Sequence, residues 1–146
     1  MFRERPIFGW GPGTYMFQYA PFQASYLKTL ESSNLGKKGN AHSEYLGLLA
    51  EAGVIAPIGY ILILIIVLYR GFIVSTRSPI RDDRIMVVSV LIGLFTYVVH
   101  GTMNNFLDMD KIAAIFWGSI ALIIAMDIKY RNYLNSNPNI EISSKI

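Results

Sequence analysis

Apolar residues in this chain gather into blocks and do not alternate with polar ones. From Ala52 to Tyr69 no side chain is charged, nor is any from Ile85 to Leu107 apart from His100. A third uncharged block runs from Ile112 to Met126. A helix rises 1.5 Å per residue, so about 20 apolar residues cross the hydrocarbon of a bilayer. The pattern predicts three transmembrane helices over residues 54–70, 85–106 and 112–129. A basic connection, 71–84, joins the first two, and a short one, 107–111, joins the last two. Residues 130–146 read as a disordered polar tail, and 1–53 as a segment outside the membrane. The fold class expected is therefore an all-α integral membrane protein with three transmembrane helices, preceded by an outer loop with a short interfacial helix.

The outer segment is aromatic and rich in turns. Gly9-Trp10-Gly11-Pro12-Gly13 must turn. Residues 22–32 are expected to form the short interfacial helix, with Tyr26, Leu27 and Leu30 on one side, and 34–40 to be a link. A helix is expected from Ala41 or His42, capped by Asn40 and continuing toward Gly53 and the first span. Pro57, one turn past Gly53, clashes with the carbonyl four residues back and predicts a kink there.

Composition narrows the class. Hydrophobic residues make up 53% of the 146 and charged residues 16%, against about a quarter charged in soluble domains. An ordinary soluble enzyme, a disordered chain and a nucleic-acid-binding module are excluded. The net charge of +3 then reads as topology. Arg70, Arg77, Arg81 and Arg84 fall around one connection, and Lys129, Arg131 and Lys145 follow the last span. The other connection has Lys111 beside Asp108 and Asp110. By the positive-inside rule the arginine connection and the tail are cytoplasmic and the N-terminal segment is periplasmic. Lys111, Lys129 and Arg131 are expected to snorkel. The chain has no cysteine, which excludes disulfides, thiolate metal sites and cysteine nucleophiles. Met1 to Gly13 lacks the apolar stretch of a signal peptide. An outer segment with no preceding span has no evident route across, so the chain is expected to be the C-terminal piece of a longer protein.

Candidate chemistry centres on His42-Ser43-Glu44-Tyr45-Leu46, followed by Glu51-Ala52-Gly53. In one helix Gly53 returns beneath His42 after about three turns. The first helical turn has a positive dipole end, which keeps an imidazole neutral as a general base requires. Its free N–H groups suit an anion, and Glu44 is favourable there. On chemistry alone, a histidine at this place is more often a polar boundary residue. His100 lies in the second span, with Asn104 one turn later and Asp108 another turn on. They read either as cavity-lining groups or as interhelical hydrogen bonders. The glycine cluster lacks a following Lys-Ser/Thr, and Pro12 has no N–H, so it reads as a turn and not a nucleotide phosphate loop.

The run Pro6 to Tyr15, with Ala41-His42-Ser43-Glu44-Tyr45-Leu46 and Leu49-Ala50-Glu51-Ala52-Gly53 before a span, resembles the C-terminal part of the O-antigen ligase and polymerase family. The resemblance covers about Pro6 to Met126. It implies a metal-independent glycosyltransferase, without a cofactor, in the bacterial cytoplasmic (inner) membrane with its active face periplasmic. The donor would be a glycan on undecaprenyl pyrophosphate. The acceptor would be a sugar hydroxyl, on lipid A–core for a ligase or on a growing chain for a polymerase. Membrane lipids are implied as surroundings and nucleic acid is not a partner. His42 matches the family's catalytic histidine. Arg3 and Arg5 are candidates for the pyrophosphate, and Glu44, Asn104 and Asp108 for substrate contacts. Gly9, Gly11, Gly13, Glu51 and Gly53 carry the structural motif. Family members have many more spans, so the isolated fragment is expected to be inactive. A non-enzymatic three-span envelope-assembly protein is the alternative from another class.

Overall fold

A computed structural model describes residues 1–23, 26 and 41–137. The interfacial helix expected over 22–32, the link 34–40 and the Asn40 cap fall almost wholly outside the described residues. Among those described, the order is α1 (Tyr15–Gln18), a 3₁₀ turn (Ala20–Phe22), α2 (Glu44–Ala52), α3 (Ile55–Arg77), α4 (Arg81–His100), a 3₁₀ turn (Phe106–Asp108) and α5 (Asp110–Ser136). The chain divides into two compact units, one of Met1–Leu62 with Val98–Met109, the other of Ile63–Tyr97 with Asp110–Ile146.

Three helices, α3, α4 and α5, are long and apolar enough to cross a membrane. Only 17–28% of each apolar window is buried inside the chain. Ile61, Ile65, Ile66, Phe72, Ile92, Phe95 and Ile115 point outward. Such exteriors are at home in lipid, where backbone polar groups must be satisfied internally. The hydroxyls on these helices obey the same rule. Ser75, Ser89, Thr96 and Ser119 donate back to carbonyls three or four residues earlier.

The helix ends differ from the sequence pattern in four places. α3 does not stop at residue 70. It continues to Arg77, and the basic connection shrinks to residues 78–80. Asp82 and Asp83 in the first turn of α4 oppose its positive dipole end, which favours an early start at Arg81. α4 ends at His100, six residues before the expected 106. The N–H groups of Met103 and Asn104 turn back to the His100 carbonyl, so Asn104 and Asp108 lie on a loop and not along a helix face. Finally, α5 runs to Ser136. Arg131 and Asn132 are helical, where a disordered tail was expected.

Within the second unit, Val74, Val87 and Met126 form a buried cluster with Leu91 and Tyr130 against it. Gly71 lets α3 come close: a Cβ there would stand 2.7 Å from Leu91 Cδ2 and 3.2 Å from Ile123 Cγ2. Tyr97 and Phe116 rings meet at 4.7 Å. Two buried acids complete the unit. Asp127, 3% exposed, accepts from Arg70 Nε at 3.0 Å and Nη2 at 2.6 Å, and from Arg131 one turn on. Asp83 pairs with Lys129 at 2.8 Å. Arg70, Lys129 and Arg131 are thus ion-pair partners, beyond the topology or snorkelling roles expected of them.

Candidate functional site

The glycine-rich turn and the end of α2 form one clasp in the first unit. A helix leaves its last carbonyls without internal partners. Here the N–H groups of Trp10 and Gly11 donate to the carbonyls of Ala50 and Glu51, at 3.3 and 2.7 Å. The Glu51 carboxylate reaches the other way. Its Oε2 accepts from the Gly13 N–H and its Oε1 from the Tyr15 N–H, both at 2.8 Å. Val54 N–H donates to Pro6 O at 2.9 Å.

This closeness explains two glycines directly. Gly9 and Gly53 both hold positive φ, +65° and +69°, which L side chains rarely adopt. A Cβ on Gly9 would overlap the Glu51 carbonyl, and one on Gly53 the Ile7 carbonyl. In place of the expected kink, α2 and α3 are separate helices broken at Gly53. Pro57 sits in the first turn of α3, where a missing N–H leaves no bond unmade.

The other end of α2 corrects the expected role of its histidine. His42 is not in the helix. Ser43 is the N-cap, with extended backbone and its hydroxyl accepting from Leu46 N–H at 3.4 Å. Ser is among the best N-cap residues and histidine is not. His42 is left outside in a left-handed conformation, φ +47°, with its residue surface exposed. The argument from the first-turn dipole therefore does not apply to its ring. Such backbone costs of order 1–3 kcal/mol and clusters at functional sites.

Next to it, Ser43 and Glu44 are buried, 3% and 6% exposed. Both bind the loop after α4. Glu44 N–H donates to Gly101 O at 2.9 Å, and Glu44 Oε1 accepts from Leu107 N–H at 2.6 Å. Tyr45 donates its hydroxyl to Val98 O at 3.0 Å. Its ring meets Tyr60 edge-on at 5.9 Å. Burial raises the Tyr45 phenol above its ordinary value, and the adjacent Glu44 carboxylate adds to the rise.

Between the clasp and this loop lies an open cleft of about 520 Å³, within the roughly 300–1,000 Å³ range of small-molecule sites. Gly13, Tyr15, Met16 and Glu51 form one part of its lining. Ala41, Ser43, Glu44, Gly47 and Leu48 form another, and Asn105, Leu107 and Asp108 the last. Burial pushes the Tyr15 phenol up to about 12, with the charge and hydrogen bond of the neighbouring Tyr19 phenol adding to it.

Of the residues singled out from sequence, Glu44, Glu51, Gly13 and Asp108 meet at the cleft, and His42 is flanked by the lining residues Ala41 and Ser43. Arg3, Arg5 and Asn104 are not among its lining. Arg5 lies over the Trp10 ring at 4.3 Å, a cation–π contact, and Arg3 is exposed. Sequence reading took Asn104 where Asn105 lines the cleft and donates to Asp108. The spacing Asn-x-x-Asp, which closes a short turn through its own side chains, was the available signal. No protein family, curated protein or solved structure matches this chain.

Proposed function

We propose that this chain is the C-terminal region of an O-antigen ligase-like glycosyltransferase of the bacterial cytoplasmic membrane, with the cleft on the periplasmic face. One observation carries the reading. Motif residues from two parts of the sequence line one cleft: Gly13 of the glycine-rich turn, held by Glu51, and Ser43-Glu44, with His42 next in the chain. The three apolar helices suit an enzyme whose donor is lipid-linked.

In this reading His42 accepts the proton of an acceptor sugar hydroxyl. The freed oxygen attacks the anomeric carbon of the donor glycan. The bond from that carbon to undecaprenyl pyrophosphate breaks, and the pyrophosphate leaves with the electron pair. A polymerase of the same family would run the same step on a growing chain. Arg5, committed to Trp10, is assigned no pyrophosphate contact.

The test is His42→Asn in the intact protein, scored for polysaccharide attachment or chain length. Asparagine tolerates left-handed backbone and removes the base. Loss of product by about 100-fold or more is expected of a general base. Normal product from a normally inserted variant overturns the reading.

A further inference from the structure

Ile7 and Phe8 are neighbouring apolar side chains on a turn, and both face outward, 54% and 79% exposed. Apolar surface left in water is unfavourable in proportion to its area. Main-chain contacts fix where this surface stands. The turn is closed by the Gly9 N–H, which donates to Arg5 O at 3.1 Å. Pro6 O accepts from Val54 N–H at 2.9 Å, and the Ile7 carbonyl is so near Gly53 that a Cβ there would overlap it. α3 begins two residues past Gly53, at Ile55. Ile7 and Phe8 are therefore held at the level where the first apolar helix starts, next to Val54 and Ile55, whose side chains are also exposed.

The length of the apolar stretches says what lies at that level. α3 carries no charge over the fifteen residues from Ile55 to Tyr69 and then meets Arg70. α4 from Ile85 to Val99 and α5 from Ile112 to Met126 are charge-free over the same length. At 1.5 Å per residue fifteen residues cover about 22 Å, whereas bilayer hydrocarbon is about 30 Å thick. Hydrocarbon that reaches the level of Arg70 therefore runs several ångströms past Ile55, over Gly53 and the turn seated on it. The polar groups near the turn suit such a boundary. Arg5 lies over the Trp10 ring, and aromatic and basic side chains together mark the headgroup level. The Glu51 carboxylate is engaged by the Gly13 and Tyr15 N–H groups.

We propose that the Ile7–Phe8 turn is a membrane anchor, with both side chains among the acyl chains of phospholipid beside the start of α3. An anchor of this kind binds by the apolar area it buries in the leaflet. It holds the clasp, and with it Gly13 at the cleft, against the membrane surface. The inference goes beyond the glycosyltransferase reading and does not depend on it. It depends on α3 crossing the bilayer.

The chain has no cysteine, so one introduced thiol carries a nitroxide label at a single place. Ile7→Cys and Phe8→Cys are made in the full chain and studied in nanodiscs of phosphatidylcholine and phosphatidylglycerol. Ile55→Cys, exposed in the first turn of α3, is the lipid reference, and Asn135→Cys, exposed near the polar end of α5, the water reference. Circular dichroism checks that helix content is unchanged. Electron paramagnetic resonance then compares collisions with oxygen, which enters hydrocarbon, and with a polar nickel chelate, which does not. The oxygen-to-nickel ratio at positions 7 and 8 should exceed that at 135 by about fivefold or more, because hydrocarbon excludes the polar collider. A smaller excess at either position overturns the proposal, and means that the bilayer thins around the short helices instead. Shielding from both colliders, as a second copy or another protein would give, overturns it too. A water-like ratio at position 55 overturns it together with α3 as a span, and leaves the chemistry assigned to His42 to its own test.

Discussion

The two units of this chain are held together by different chemistry. The first depends on backbone groups met by backbone or by a single carboxylate: Gly11 on Glu51, Val54 on Pro6, Leu107 on Glu44. The second depends on apolar packing around Val74, Val87 and Met126, with ion pairs at Asp83 and Asp127. Main-chain bonds of the first kind fix position closely and tolerate almost no added volume. Packing of the second kind yields to substitutions of similar size. The difference explains why candidate chemistry collects in the first unit: a site needs placement, and lipid-facing helices need only satisfaction and bulk.

Four experiments sharpen or break this contrast. The largest effect is expected at Gly9 and Gly53. Alanine at either meets positive φ and a carbonyl at once, and should cost about 3 kcal/mol or more. Rapid proteolysis of the first unit in detergent, with α5 protected, would report it. A mild effect at both sites would mean the clasp is looser than drawn.

Asp127→Leu comes next. It leaves Arg70 without its bidentate partner. Breaking a buried pair costs about 3–5 kcal/mol, but Arg70 and Arg131 are 31% and 58% exposed, so about 1–3 kcal/mol is expected here. Adding Arg70→Met should recover most of it in a thermal unfolding series. No recovery would show that the acid does more than hold the arginines.

Glu51→Gln removes the charge behind two main-chain bonds and should cost about 2 kcal/mol. Hydrogen exchange at Gly13 and Tyr15 should accelerate together, since both N–H groups use the one carboxylate. Acceleration at one alone would break the two-bond picture.

The smallest effect concerns pH. Tyr15 has a folded pKa of about 12 against 10.0 unfolded. A raised value means the fold binds the phenolic proton more tightly. Its stabilisation is complete below pH 10 and is lost as pH climbs toward 12. In difference spectrophotometry Tyr15→Phe should delete a late ionisation step near that value.

Much of this contrast was visible in the residues. The three spans follow from the uncharged blocks, and the break near Gly53 from glycine and Pro57. The failures share one physical cause. Hydropathy marks where charge begins, while a helix ends only where its hydrogen bonds do. Arg131, in the stretch read as tail, is helical with Asp127 as its partner four residues back, and Arg70 and Lys129 pair with acids on other helices. His42 was misplaced for a more local reason. Ser43, one residue on, takes the cap with its short hydroxyl accepting the Leu46 N–H. The cleft itself was not legible, because its lining comes from three stretches that only the fold brings together.

The bonds between Glu44 and the loop after α4 also settle a matter of sidedness. A main-chain hydrogen bond cannot be made through a bilayer. Glu44 holds Gly101 and Leu107, and Pro6, Trp10 and Gly11 hold the junction between α2 and α3. The chain before the first span and the chain after the second must therefore share a compartment, whichever way the arginines are counted.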